Sequence, residues 1–177
     1  MKSASAVALA AALVASSPAS ASDAGLRRAA DIGAYGLPVV AAGIALGRDD
    51  RRGLLDLGES YGTSFVATQG LKYAINSRRP NGGDHSFPSG HTSSAFAAAG
   101  YLHARYGWQY GVPAEIVATL VGVSRVVTHD HHWYDVVAGA AIGETSAFLL
   151  TDRLNDRVRL TPFADAHGGG LEVSARF

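Results

Sequence analysis

Through most of the chain, small apolar residues return every three or four positions, the period of one face of an α-helix. The pattern predicts five helices, near residues 25–47, 53–78, 91–106, 112–127 and 133–153. The breaks between them have physical causes. Residues 47–53 (Gly-Arg-Asp-Asp-Arg-Arg-Gly) form a charged turn, and residues 80–84 (Pro-Asn-Gly-Gly-Asp) cannot continue a helix. Pro113 falls near the first turn of the helix it opens. In the tail the period drops to two: Leu171, Val173, Ala175 and Phe177 alternate with Glu172, Ser174 and Arg176. Paired with residues 157–164 across a turn-like stretch at 165–170, this predicts a short terminal hairpin. The expected fold is therefore all-α: a single helical bundle over residues 22–156, with a tail at 157–177 that closes as a hairpin. No internal repeat, low-complexity linker or heptad seam interrupts it.

Composition narrows the picture. With 177 residues, 47% of them hydrophobic, the chain can bury one core, and two domains would leave each half too small. Lys2, an apolar run from Ala6 to Val14 and Ala19-Ser20-Ala21 read as a signal peptide over residues 1–21, cleaved before Ser22; the alternative is an uncleaved membrane anchor. An exported, periplasmic protein is expected. It has no Cys, so its core must hold by packing, with neither disulfides nor thiolate metal sites. The longest later stretch free of charge and His, residues 32–47, is shorter than the ~20 residues of a spanning helix and holds Pro38 and four glycines. Mean hydropathy is only +0.09. The expectation is peripheral membrane contact rather than a multi-spanning bundle. Fifteen Lys and Arg balance fifteen Asp and Glu, which leaves no global field for nucleic acid. Nothing in the pattern specifies an oligomer.

Three segments carry chemistry. In the first, Lys72 and Arg79 stand seven apart, so on a helix they lie on one face two turns apart. Two such cations can close on one anion, Arg through its two-pronged fork and Lys as a point charge. The plainer reading is a solvated basic helix end. In the second, Pro88-Ser89-Gly90-His91 enters a helix, where free backbone N–H groups and the Ser hydroxyl can cradle an anion. Gly90 lets a ligand approach the backbone, and His91 can give up a proton. The plainer reading is an ordinary N-cap. In the third, Ser124-Arg125 is followed by His131 and, four residues on, Asp135. A carboxylate holding one ring nitrogen leaves the other free to attack, and Arg125 adds a cation. Alternatively the run His129, Asp130, His131, His132 binds a metal ion.

Together these segments read K-x6-RP, PSGH and SR-x5-H-x3-D, without substitution at any defining position. The chain thereby resembles the type 2 phosphatidic acid phosphatase and vanadium haloperoxidase superfamily. The resemblance covers residues 72–135, about a third of the sequence. It implies a helical bundle with the active site at one end. It further implies that Lys72, Arg79, Ser89, Gly90 and Arg125 hold phosphate, that His131 attacks phosphorus and forms a phosphohistidine, that Asp135 orients His131, and that His91 protonates the leaving alcohol and then activates water. No cofactor and no metal ligand are implied, although vanadate fits the same cage. The expected activity is hydrolysis of a phosphate monoester, either lipid phosphate or a small soluble ester. The alternatives are a vanadate-dependent haloperoxidase and a non-catalytic phosphate- or metal-binding protein. Arg78, His85, His129 and His132 are expected in solvent, and Trp133 and Tyr134 in packing.

Overall fold

In the computed structural model, residues 22–154, 158–165 and 168–175 are described; the expected signal peptide lies outside them. Five helices follow in order: α1 (Asp23–Gly47), α2 (Arg51–Ala74), α3 (Gly90–Tyr106), α4 (Trp108–Val127) and α5 (Trp133–Leu150). Their starts obey local chemistry. The Ser22 and Asp50 side chains accept from the backbone N–H of Gly25 and Gly53, capping α1 and α2. Gly107, at φ +86°, makes the left-handed break that turns α3 directly into α4. Pro113 sits inside α4, which begins four residues earlier than its sequence pattern indicates.

The bundle is built around α3, which packs against all four other helices. Many of its residues are small and enclosed: Ala95, Ala98 and Ala99 are each 0% exposed, as is the larger Tyr101. Small side chains let helices approach to backbone contact, and α5 comes closest. A Cβ on Gly139 would lie 2.5 Å from the Ser89 carbonyl oxygen, and one on Gly143 would lie 2.5 Å from that of Ser93. Polar seams finish the packing: Thr68 donates to Ser93 at 2.9 Å, and Ser94 donates to the Ala34 carbonyl at 2.7 Å. These two hydroxyls thus find partners across a helix interface.

At the end of the bundle where α1 meets α2, Arg105 is buried and forks onto both oxygens of Asp50, at 2.8 and 2.6 Å. It also donates to Asp56 and to the Asp152 carbonyl, at 3.3 and 2.7 Å, while its own carbonyl accepts from Leu154. One guanidinium thereby fastens the α1–α2 turn, the end of α3 and the chain leaving α5. Beyond it, β1 (Val158–Asp165) and β2 (Gly168–Ala175) pair antiparallel as the expected hairpin. Its turn is tighter than the sequence indicates. Gly168, Gly169 and Gly170 pair with Asp165, Ala164 and Phe163 instead of forming the turn.

The exterior departs from expectation. Among the described residues, α1 and α4 are long and apolar enough to cross a membrane. A charge-free run of residues 32–47 understates α1, because the helix extends through Asp23, Arg27 and Asp31 to 25 residues, roughly 37 Å. Val39, Leu46, Ile116, Leu120 and Val123 point outward and are exposed.

The α3–α5 contact generates a stability prediction. Gly139→Ala places its methyl against backbone, which cannot rotate away, and is expected to cost about 1–3 kcal/mol. Thermal unfolding should show a midpoint several degrees lower. An unchanged midpoint would mean that the two helices are free to separate.

Candidate active site

At the other end of the bundle the three segments meet, though not on the scaffold their spacing indicates. Lys72 lies in the last turn of α2, but the helix stops at Ala74 and Arg79 belongs to the loop that follows. The expected shared helix face is therefore incorrect. Pro80 disfavours helical backbone at the residue before it, and Ser77 binds the returning chain instead. The Ser77 carbonyl and hydroxyl accept from the N–H groups of Ser86 and Phe87, both at 2.9 Å. This loop is tied to the α4–α5 loop by Asn81, whose N–H donates to the His129 carbonyl and whose amide donates to Asp130, at 3.1 and 3.0 Å.

Lys72 reaches inward, its Nζ 2.9 Å from the His85 carbonyl and 3.4 Å from that of Ser86. Burial and the nearby Arg79 push its ammonium down to about 8. Arg79 is half-buried and donates to the Asp84 carbonyl at 3.2 Å. Ser89 and Gly90 open α3. No side chain caps that terminus, because the Ser89 hydroxyl instead accepts from Thr92 at 2.9 Å. The first-turn N–H groups of α3, with the positive end of its dipole, can therefore serve an anion.

His131 and Asp135 are not a pair on a helix either. His131 precedes α5, and Asp135 lies in its first turn, accepting from the His132 N–H at 2.9 Å. His131 Nδ1 is 3.5 Å from Asp135 Oδ2 and 3.4 Å from the Ser86 hydroxyl, which makes a short hydrogen bond to that same carboxylate oxygen. Both His131 and Asp135 are buried. With Nδ1 turned toward Ser86 and Asp135, Nε2 is the ring atom left for a reaction. Burial, and then Lys72 and Arg79, hold His131 well below the ordinary histidine value despite Asp135. A neutral imidazole beside cations is the protonation state a nucleophile needs.

Arg125 is also buried and lies 3.2 Å from Asp130, while its Nε is a buried donor without an acceptor among the described residues. Asp130, read in the sequence only as one of a metal-binding run, instead collects Arg27 at 2.9 Å, Thr128 at 2.7 Å and Asn81 at 3.0 Å. It anchors the cation set from behind. His91, in the first turn of α3, places Nε2 at 2.8 Å from Asp31 of α1. Burial, and then Arg125, lower its proton affinity, and Asp31 opposes them. Sequence reasoning misses Ser86 and Asp31 because each is one polar residue without a spacing partner, and it gives Asp130 a metal-binding role in place of its ion pairs. Arg78 and His129 are exposed, and His129 adopts φ +57°. Among the described residues no three His, Asp or Glu side chains converge as metal ligands, so the 129–132 run does not form such a set. Trp133 and Tyr134, expected in packing, are exposed instead at 68% and 42%.

The arrangement is a cage of three cations and one helix N-terminus around a neutral imidazole, with a second imidazole on α3. Residues 81–159, which include the second and third segments, match the PAP2 superfamily. Lipid A 4'-phosphatase of Helicobacter pylori is 33% identical over 129 residues, 66% of this chain and 65% of that protein. The chain thus spans a little less than two thirds of that relative's length. Among solved structures, Aquifex aeolicus LpxE superposes with TM-score 0.61 at 25% identity, over 80% of this chain and 91% of that one. The transmembrane PAP2 type phosphatidylglycerolphosphate phosphatase of Bacillus subtilis superposes with TM-score 0.59 at 26% identity, covering 82% of each. Sequence signature, bundle and site all resemble those of the PAP2 superfamily.

Proposed function

We propose that the chain is a metal-independent phosphatase that removes phosphate from a lipid through a phosphohistidine on His131. The observation that carries this reading is the buried His131 imidazole, backed by Ser86 and Asp135 and faced by Lys72, Arg79 and Arg125. His131 Nε2 attacks phosphorus, an N–P bond forms and the ester P–O bond breaks. His91 gives its proton to the departing alcohol oxygen. Water then attacks phosphorus, its proton passes to His91, and the N–P bond breaks to release phosphate. Lys72, Arg79, Arg125, the Ser89 hydroxyl and the first-turn N–H groups of α3 from Gly90 onward compensate the charge on the non-bridging oxygens throughout. The cations supply what a divalent ion would otherwise supply, so the reaction needs none.

A lipid substrate is supported by the named relatives and by the exterior. The site lies at one end of a bundle whose α1 and α4 expose apolar side chains and meet the length of a bilayer. Tyr73 and Trp133 stand exposed at that same end, where amphipathic rings suit a headgroup layer. We place α1 and α4 in lipid with the phosphate cage at headgroup depth. Export, with the site facing the periplasm, rests on the sequence pattern of residues 1–21 alone.

Three outcomes are expected. Purified protein in detergent should release phosphate from a lipid phosphate in the presence of chelator, and His131→Ala should lose at least roughly 10³-fold. Release that requires metal and ignores His131 would overturn the mechanism. Second, His131 must be neutral and His91 protonated, and both are held below the ordinary value near 6.5. Activity then rises as pH climbs past the depressed value of His131 and falls as it passes that of His91. The kcat/KM optimum should lie on the acid side of pH 6.5; an optimum above it would contradict the assignment. Third, the protein should stay with membranes through an alkaline carbonate wash, whereas release into the wash would remove α1 and α4 from lipid.

A further inference from the structure

None of the three signature segments includes α1, yet α1 supplies the group that holds His91. Asp31 Oδ1 lies 2.8 Å from His91 Nε2 and 4.0 Å from an Arg125 terminal nitrogen. One turn on, the Tyr35 ring stands edge-on to the same imidazole, with centroids 5.4 Å apart. The two residues are four apart on one face of α1, so together they fix the plane and the tautomer of His91.

We infer that Asp31 is a positioning residue for His91: it holds the Nε2–H and leaves Nδ1 to pass a proton to the leaving oxygen. The inference rests on the phosphohistidine reading above and adds to it the residue that makes its acid competent.

The charge balance around His91 explains why such a residue is needed. The groups that face it are Asp31 and Tyr35 of α1, Arg125 of α4 and Arg79 of the α2–α3 loop. Both arginines, required to bind phosphate, favour the neutral imidazole, as does burial. A neutral imidazole cannot act as the acid of the first step. Asp31 alone in this set carries the sign that favours imidazolium. In the step itself the Nδ1–H bond of His91 breaks, its proton goes to the alcohol oxygen as the P–O bond breaks, and neutral His91 stays hydrogen-bonded to Asp31. Water returns that proton in the second step. Nothing else is consumed.

A leaving group that is stable as an anion needs no such proton, and this gives a test that a scaffolding role cannot imitate. Full-length wild type, Asp31→Asn, Asp31→Ala, Asp31→Glu and His131→Ala would be assayed in detergent on p-nitrophenyl phosphate and on an alkyl phosphate. Thermal midpoints would be recorded alongside. Asp31 is half-exposed, so its variants are expected to fold. Asp31→Asn and Asp31→Ala should lose at least roughly 10-fold in kcat on the alkyl ester and less than about 3-fold on the aryl ester. The basic limb of kcat/KM should move to lower pH, because removing the carboxylate makes imidazolium harder to keep. Asp31→Glu should recover much of the loss. Equal losses on both esters, or none on either, would overturn the role of Asp31 while a dead His131→Ala left the phosphohistidine reading intact. Hydrolysis that persists in His131→Ala would remove that reading and this inference with it.

Discussion

The backbone contact between α3 and α5 sets the position of everything that reacts. Gly139 and Gly143 remove the side chains that would otherwise hold the helices apart, and the Ser89 carbonyl fits where a Cβ would be. At that distance the Ser89 N–H reaches the Asp135 carbonyl at 2.9 Å. The start of α3 and the start of α5 are thereby locked together. One terminus presents an anion cradle and the other carries the carboxylate behind His131. A larger residue at either glycine would displace the cradle from the imidazole by a distance that phosphoryl transfer does not tolerate.

Around that lock the site solves an electrostatic problem. Phosphate requires several cations in one place, and cations raise one another's energy when buried. Asp130 offsets Arg27 and Arg125, backbone carbonyls receive Lys72, and Asp135 lies close enough to Lys72 to help keep it charged. The same cations keep His131 neutral. On the proposed mechanism, a single charge distribution serves both binding of the dianion and readiness of the nucleophile.

Much of this was legible in the sequence, because helix periodicity and loop chemistry are local properties. All five helices lie close to where the apolar pattern puts them, and the three segments name the residues that converge. What the pattern misstates is tertiary. Lys72 and Arg79 share no helix face, since Pro80 and the pairing of Ser77 with Ser86 end α2 early. His131 and Asp135 meet through a helix cap with Ser86 beside them, and a spacing of four cannot distinguish that from a helical pair. The three hairpin glycines read as a turn because glycine is permissive, yet they pair within β2. Asp31, and Asp130 through Arg27 and Asn81, gain meaning from side chains far away in sequence. The apolar exterior was underread because an uninterrupted charge-free run is a stricter demand than a long helix with its charges at one end.

Arg105 carries a topological consequence. Its bonds to the Asp152 carbonyl and from Leu154 fix where the chain leaves the bundle, at the end away from His131. The hairpin of β1 and β2 is rooted there. With α1 and α4 in lipid, the chemistry and the hairpin root belong to opposite leaflets. On that proposed placement, whatever the hairpin meets would lie in a different aqueous compartment from the substrate's phosphate.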